Sequence, residues 1–567
     1  MVLAAAASLL VAACGGSNDP QGIPAADALR SACPGLAGTS VPASQIGLPS
    51  GAAAVTSATF VAATAQSVGG GVTTPATPDY CRVLGRIAPV DPAAQAINFQ
   101  VNLPSAWNGK AVQYGGGGYN GTLVTGMTPL RDANPDDPLP ISRGYVTLGT
   151  DSGHQASAFA ANAIGQFGSN DEMLVNYGYA SYKKVKDVSV RLMQAYYTQA
   201  PGRMYYFGGS EGGREGLTMA QRFPQDYDGI VSVVPVVQLS MLFQSYLPHV
   251  RPQFDGGWMS PAKIATMARF TSDACDALDG LADGVVSNYR ACAARVDIGL
   301  LRCPGGADTA TTCLSDAQIT AARSVRLPYT LPFAVANGAT RYPGWNFYGN
   351  ETTPDTVNPT WTRWVMGAAP PTSAVDAAAG QHWLYGANFV RHFVAKDPAL
   401  DPLAFDPARY QARLTEVSAI IDSSNPDLSA FFARGGKLIM RENTADAAQS
   451  PQAGIDYFTA VQNSVGPTTV EAGARLYMSP GSTHTGHGTS VTDGSPIPTM
   501  VDLLDPLDRW VSSGQAPADA LVQTVKTATP PFTQQAARPM CRYPNYPAYR
   551  GGDPKAASSY GCTASLP

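Results

Sequence analysis

Histidine is scarce in this chain, with 6 among 567 residues, and charged side chains make up only 14% of it. Acidic and basic residues nearly balance, 42 against 37, and no long run of Lys or Arg occurs, which excludes the electrostatic footprint of a nucleic-acid binder. Beyond the N-terminus no apolar stretch approaches the ~20 residues that cross a bilayer, so an internal membrane span is excluded. No CxxC pair is present and the histidines are scattered, which leaves no ligand set at zinc spacing. What the chain does have is 44% hydrophobic residues, 25 Tyr, 18 Phe, 57 Gly and 46 Pro, a globular composition rich in loops. Its length implies at least two structural units.

The apolar run Met1 to Ala13 ends Val11-Ala12-Ala13-Cys14-Gly15, which resembles a bacterial lipobox, although no Lys or Arg precedes it. Residues 1–14 are therefore expected to be a lipoprotein signal peptide with Cys14 as the lipidation site. The chain is expected to be exported, as an outer-membrane lipoprotein or a periplasmic or secreted protein. Of 9 cysteines, setting Cys14 aside leaves Cys33, Cys81, Cys275, Cys292, Cys303, Cys313, Cys541 and Cys562. That even set fits four disulfides made in an oxidising compartment, and pairing between sequence neighbours gives 33–81, 275–292, 303–313 and 541–562.

Residues 15–75, rich in Ala, Gly, Ser, Thr and Pro, read as a flexible N-terminal segment. Strand patterns then alternate with helical ones: Ile97-Phe99-Val101, Lys110 to Tyr114, Tyr145 to Thr150, a helix from Tyr177 to Tyr197, and a strand Gly229 to Val234. After Val237 the rhythm breaks, and it resumes at Gly436-Lys437-Leu438-Ile439-Met440. The pattern predicts an α/β-hydrolase core with a mostly parallel sheet over residues 76–237 and 428–567. It also predicts a large inserted lid domain over residues 238–427.

Gly208-Gly209-Ser210-Glu211-Gly212 stands between a β-prone run, Met204 to Phe207, and an amphipathic run, Leu217 to Phe223. Strand, glycine-rich turn with a serine, then helix is the context of a nucleophile elbow. A serine nucleophile needs a base and an acid to orient it, in the chain order Ser, Asp/Glu, His. His154 precedes the serine, and His249, His382 and His392 fall in the insertion, so His484 and His487 remain. His484 is favoured by its spacing from Pro480-Gly481, with His487 as competitor. Asp446, after the strand Leu438 to Met440, is the candidate acid and Glu442 the fallback. The glycine run Gly115 to Gly118 ends another strand and can bring bare N–H groups to a ligand. Gly118 and Glu211 are the expected oxyanion donors.

In the insertion, Cys275-Asp276-Ala277-Leu278-Asp279-Gly280-Leu281-Ala282-Asp283-Gly284-Val285 crowds three carboxylates on one loop. Oxygen-only ligands at this density suit Ca2+, with the side chains of Asp276, Asp279 and Asp283 and the carbonyls of Leu281 and Val285 as ligands. The spacing is not that of an EF-hand, and no organic cofactor is implied.

Taken together, the GGGGYNG loop, GGSEGGREG with the following RFPQDYDGI, the CDALDGLADG loop, GGKLIM with Asp446, and the SPGSTH loop resemble the tannase and feruloyl esterase family of α/β-hydrolases. The resemblance runs from about Cys81 to the C-terminus. It implies a secreted or lipid-anchored serine carboxylesterase acting on small aromatic esters (hydroxycinnamate, gallate or terephthalate monoester), and the chain is expected to be a monomer. Two departures stand out. The family places Cys immediately before the nucleophile and immediately after the catalytic His, joined as a disulfide, whereas Gly209 and Thr485 stand there in this chain. Introducing both cysteines is expected to raise thermal stability. Terephthalate-monoester hydrolases of the family carry a lid Arg that holds the free carboxylate, and the matching stretch Gly380 to Phe389 has none. Arg391 lies further on. Trp364, Trp383, Leu384 and Gln449 are candidate pocket residues. The alternatives are a peptidase or lipase, a non-catalytic lipid-anchored binding protein on the same fold, and a calcium-dependent adhesion module.

Overall fold

The computed structural model describes residues 23–349, 351, 360–375 and 377–564. Cys14 lies outside the described residues. Among them the largest sheet has 12 strands. In chain order these are β1 (Ser40–Val41), β2 (Ala53–Val61), β3 (Tyr80–Ile87), β4 (Ile97–Pro104), β5 (Lys110–Tyr114), β6 (Val146–Thr150), β7 (Arg203–Gly209), β8 (Gly229–Val233), β9 (Lys437–Asn443), β10 (Ala474–Ser479), β11 (Ala520–Lys526) and β12 (Gln534–Arg542). Their spatial order is β1-β2-β3-β4-β6-β5-β7-β8-β9-β10-β12-β11.

Parallel pairing is confined to the run β6-β5-β7-β8-β9-β10. Both flanks are antiparallel, so the sheet is mixed and not mostly parallel as its βα rhythm predicts. The central strands are buried on both faces and read as unbroken apolar runs, whereas an antiparallel flank needs only one covered face and leaves a weaker pattern. The same reason accounts for a second difference. Residues 15–75 do not form a flexible segment throughout, since β2 pairs along β3 from Ala53↔Ile87 to Val61↔Tyr80. Its residues are mostly Ala, Ser, Thr and Val with only a partial in–out alternation, and the Cys33–Cys81 disulfide secures the segment that precedes it.

The helical expectations convert with small shifts. A π-turn over Asn176–Ala180 leads into α1 (Ser181–Tyr197), whose Val185, Val188 and Leu192 are buried against the sheet. Helix α2 (Glu211–Arg222) begins directly at the elbow. Between Val233 and Lys437 no described residue joins the large sheet. The described part of that stretch is largely helical, including α3 (Leu239–Pro252), α4 (Trp361–Trp364) and α5 (Gln381–Asn388), with one two-stranded pair at Tyr329–Thr330 and Arg341–Tyr342. Its apolar side chains form a second core that continues onto Tyr119, Phe167 and Tyr177 beside the sheet. Disulfides join 33–81, 275–292, 303–313 and 541–562. No helix of the described residues is long and apolar enough to cross a membrane.

Candidate active site

The site forms where the parallel strands end. Ser210 caps α2 with φ 59° and ψ −121°, a conformation that a residue with a side chain adopts only when its surroundings enforce it. Those surroundings are backbone. Ser210 N–H donates to Val233 O at 2.8 Å, and Arg214 N–H donates to Ser210 O at 3.1 Å. A Cβ on Gly208 would stand 2.3 Å from Gly212 O, and one on Gly212 would stand 2.8 Å from Gly116 O. The elbow thus requires glycine at both positions because three backbone segments meet there. Behind it, Arg214 is fully buried, paired with Glu211, and donates to the carbonyls of Gly178 (2.8 Å) and Ile421 (2.9 Å).

The serine hydroxyl donates to His484 Nε2 at 2.8 Å, and His484 Nδ1–H donates to Asp446 Oδ2 at 2.6 Å. Asp446 is buried, and its other oxygen accepts the N–H groups of Ala448 (2.7 Å) and Gln449 (3.0 Å). Those bonds fix the carboxylate, which in turn fixes the imidazole tautomer. The two alternatives lie elsewhere. His487 is exposed, and Glu442 is buried with its carboxylate on Gln449 Nε2 at 2.7 Å. Burial and the neighbouring Asp446 charge push Glu442 well above the usual carboxylate range. His154, stacked on Phe167 at 3.7 Å, is pushed down to about 4 by burial, and His249 to about 3.

In the glycine loop, Gly116 N–H is committed to Glu215 (3.0 Å) and Gly117 N–H to Asn120 Oδ1 (2.6 Å). Among the hydrogen bonds of the described residues none is donated by the N–H of Gly118 or Glu211, and both residues line the cavity at Ser210. Gly118 has φ 59°, and a Cβ there would stand 2.5 Å from the Tyr385 hydroxyl.

The cavity measures about 220 Å³. Its apolar wall comes from the segment after β8: Leu239, Leu242, Phe243, Tyr246, Trp364 and Tyr385. Of the pocket residues expected from sequence, Trp364 and Gln449 line it, and the Trp364 ring meets His484 edge-on at 5.3 Å. Trp383 and Leu384 do not. Both are buried in the inserted segment's own core, with Trp383 Nε1–H on Ala374 O at 3.1 Å. Arg391 is also elsewhere, donating to Leu400 O at 2.9 Å. Sequence reasoning missed α3, whose Leu239, Leu242, Phe243 and Tyr246 recur at helical spacing and could have been found that way. It also missed Arg131, which lines the same cavity with its stem over Gly209, and for which the only hint is the absent side chain at residue 209.

In the acidic loop, the Asp276 carboxylate accepts the N–H groups of Asp283 (3.1 Å), Gly284 (2.8 Å) and Val285 (3.2 Å). Asp279 Oδ2 and Asp283 Oδ1 are buried without hydrogen-bond partners, while Asp283 Oδ2 pairs with Arg538. Burial pushes Asp279 up to about 6, with the Asp283 charge adding to it. Among the described residues no cluster of His, Cys, Asp or Glu is already gathered as a metal cage. The orphaned oxygens nonetheless fit a hard cation at Asp279 and Asp283.

A strained serine between strand and helix, bonded in series to a histidine and a buried carboxylate, places the chain in the structural class of α/β-hydrolase-like enzymes. Residues 81–563 match the family of tannase and feruloyl esterase, and the chain belongs to that family of carboxylic ester hydrolases. It is 30% identical to mono(2-hydroxyethyl) terephthalate hydrolase of Piscinibacter sakaiensis, over 86% of this chain and 85% of that one. It is 31% identical to a probable feruloyl esterase of Arthroderma benhamiae, over 81% of each. The crystal structure of feruloyl esterase B from Aspergillus oryzae superposes with a TM-score of 0.71 at 22% identity, covering 94% of this chain and 100% of that one, a likeness of fold.

Proposed function

We propose that the protein hydrolyses small aromatic esters, of the hydroxycinnamate, gallate or terephthalate-monoester kind, through an acyl-enzyme on Ser210. The observation that carries this reading is the series Ser210–His484–Asp446 opening onto a small cavity with an aromatic wall. A volume of about 220 Å³ suits one ring and a short ester arm.

Ser210 Oγ attacks the ester carbonyl while His484 Nε2 takes its proton, and Asp446 stabilises the resulting imidazolium. The N–H groups of Gly118 and Glu211 receive the oxyanion, a contribution typically worth ~3 kcal/mol per donor. The imidazolium then hands its proton to the leaving alcohol oxygen. Water, deprotonated by the same nitrogen, attacks the acyl-enzyme and releases the aromatic acid. The inserted segment acts as a lid that shapes the acyl pocket and keeps water from it. In the acidic loop, Ca2+ held by Asp276, Asp279 and Asp283 with the Leu281 and Val285 carbonyls would neutralise crowded carboxylates and brace that segment. The protein works as an exported monomer tethered through Cys14.

The test is acid release from methyl gallate, methyl ferulate and mono(2-hydroxyethyl) terephthalate by the purified chain beside Ser210→Ala. Turnover of at least one ester, abolished in the variant, is the expected result. Absence of turnover on all three would favour a non-catalytic binding protein on the same fold.

A further inference from the structure

One cation in the cavity wall takes no part in the scheme above. Arg131 lines the cavity together with Ser210 and His484. Its Nε and Nη2 are buried with no hydrogen-bond partner, so donors have been withdrawn from water and left unanswered. Its stem lies over the residue before the nucleophile: a Cβ on Gly209 would stand 2.1 Å from Arg131 Cδ and 2.6 Å from Nε. The carboxylates beside it in the chain and at the elbow face other cations, and neither Asp132 oxygen accepts a hydrogen bond. Asp132 pairs with buried Arg441 at 3.1 Å, and Glu211 pairs with Arg214. The wall of the cavity that holds Ser210 therefore carries a guanidinium with two N–H-bearing nitrogens that no protein group answers.

The direction of approach says which end of a substrate would meet it. The loop bearing Arg131 packs on the histidine loop, because a Cβ on Gly486 would stand 1.6 Å from Asp132 Oδ1. Asp132 O also accepts Val501 N–H at 2.7 Å, which holds this loop in place. The apolar wall, by contrast, comes from α3, Trp364 and Tyr385 in the inserted segment. An aromatic acyl group belongs against that wall. The leaving alcohol belongs on the histidine side, since His484 must protonate its oxygen. Arg131 sits on the elbow and histidine-loop side, one residue from the nucleophile.

We propose that Arg131 is the subsite for a carboxylate carried by the leaving alcohol, so that the preferred substrates are aromatic esters of short hydroxy acids. The planar guanidinium can take a carboxylate through two parallel N–H bonds. Its closeness to residue 209 limits the carboxylate to a few bonds from the ester oxygen. This proposal rests on the esterase reading above, and Arg131 acts here as a specificity residue.

The test uses the full chain with two matched pairs of esters. O-Benzoylglycolate and O-benzoylglycolamide differ in charge on the leaving alcohol. Methyl 4-carboxybenzoate and methyl 4-carbamoylbenzoate differ in charge on the acyl group. The expected result is a kcat/KM preference for O-benzoylglycolate over its amide of about 10-fold or more, arising mainly in KM. Arg131→Gln should bring that ratio near one, and Arg131→Lys should keep part of it. In wild type, free glycolate should inhibit competitively where glycolamide does not. A variant that merely loses structure would lower both esters in proportion and leave the ratio intact, which would overturn the proposal. So would an Arg131-dependent ratio in the acyl pair only, or no preference in wild type. If wild type hydrolyses none of the four esters, the esterase reading falls and this inference with it; turnover of the uncharged esters without the ratio change sinks the inference alone.

Discussion

The parallel strands and the inserted segment meet at one cavity but contribute to it in different ways. Every residue of the proposed catalytic series comes from a turn at a strand end: Ser210 after β7, Asp446 after β9, His484 after β10. These turns are held by backbone packed too closely for a side chain, as at Gly208 and Gly212. The inserted segment supplies rings and aliphatic chains from α3, α4 and α5, packed on a core of its own. A displacement of a few tenths of an ångström would ruin the first set and only reshape the second. Changes at the strand ends should therefore cost turnover, and changes in the inserted wall should cost affinity or selectivity.

The largest effect sharpens that division. Asp446→Asn keeps the shape of the site but stabilises the wrong imidazole tautomer, and kcat should fall by about 10⁴-fold with little change in KM. Steady-state kinetics on methyl ferulate would check it, and an effect confined to KM would contradict the assignment of turnover to the strand ends.

Acid should expose a cost shared by both regions. His154 beside the sheet is held at about 4, and His249 in α3 at about 3, both by burial, against about 6.5 in an unfolded chain. The folded state thus takes up these protons last. Their contribution to stability is fully present above about pH 6.5 and is lost as pH falls, down to about 4 for His154 and about 3 for His249, at about 1.4 kcal/mol per unit for each group. Denaturant melts between pH 7.5 and 4.5 should show that decline, and a flat profile would contradict buried neutral rings.

Trp364→Ala should raise KM about 10-fold with kcat changed less, because the ring lines the cavity wall that the proposed acyl group would lie against. Chelation of Ca2+ should lower the thermal midpoint by several degrees through the inserted segment, and calcium, not magnesium, should restore it. Smallest of all is the pair Gly209→Cys with Thr485→Cys. Its expected gain in thermal midpoint should be fuller in an Arg131→Ala background, since Arg131 Cδ occupies the space of a Cβ at 209.

What was legible in the sequence divides along the same line. The strand-turn-helix punctuation around Ser210 is local, and with 6 histidines elimination leaves His484 and His487, of which His484 is the one hydrogen-bonded to Ser210. The four disulfides pair sequence neighbours, so proximity along the chain was enough. The antiparallel flanks were not legible, because Ala, Ser and Thr in β2 carry little hydrophobic alternation. Trp383 looked like a pocket residue for the reason that makes it a core one: it is large and apolar. Arg131 was invisible because its meaning comes from Gly209, 78 positions away, and no periodicity links them.

Ser210 as the nucleophile is tested most sharply by covalent labelling with a fluorophosphonate, read as intact mass and then by peptide mapping. One phosphonyl group per chain is expected, located on Ser210, absent in Ser210→Ala and strongly slowed in His484→Ala. Labelling at another serine, or labelling of Ser210 that proceeds as fast without His484, would contradict it.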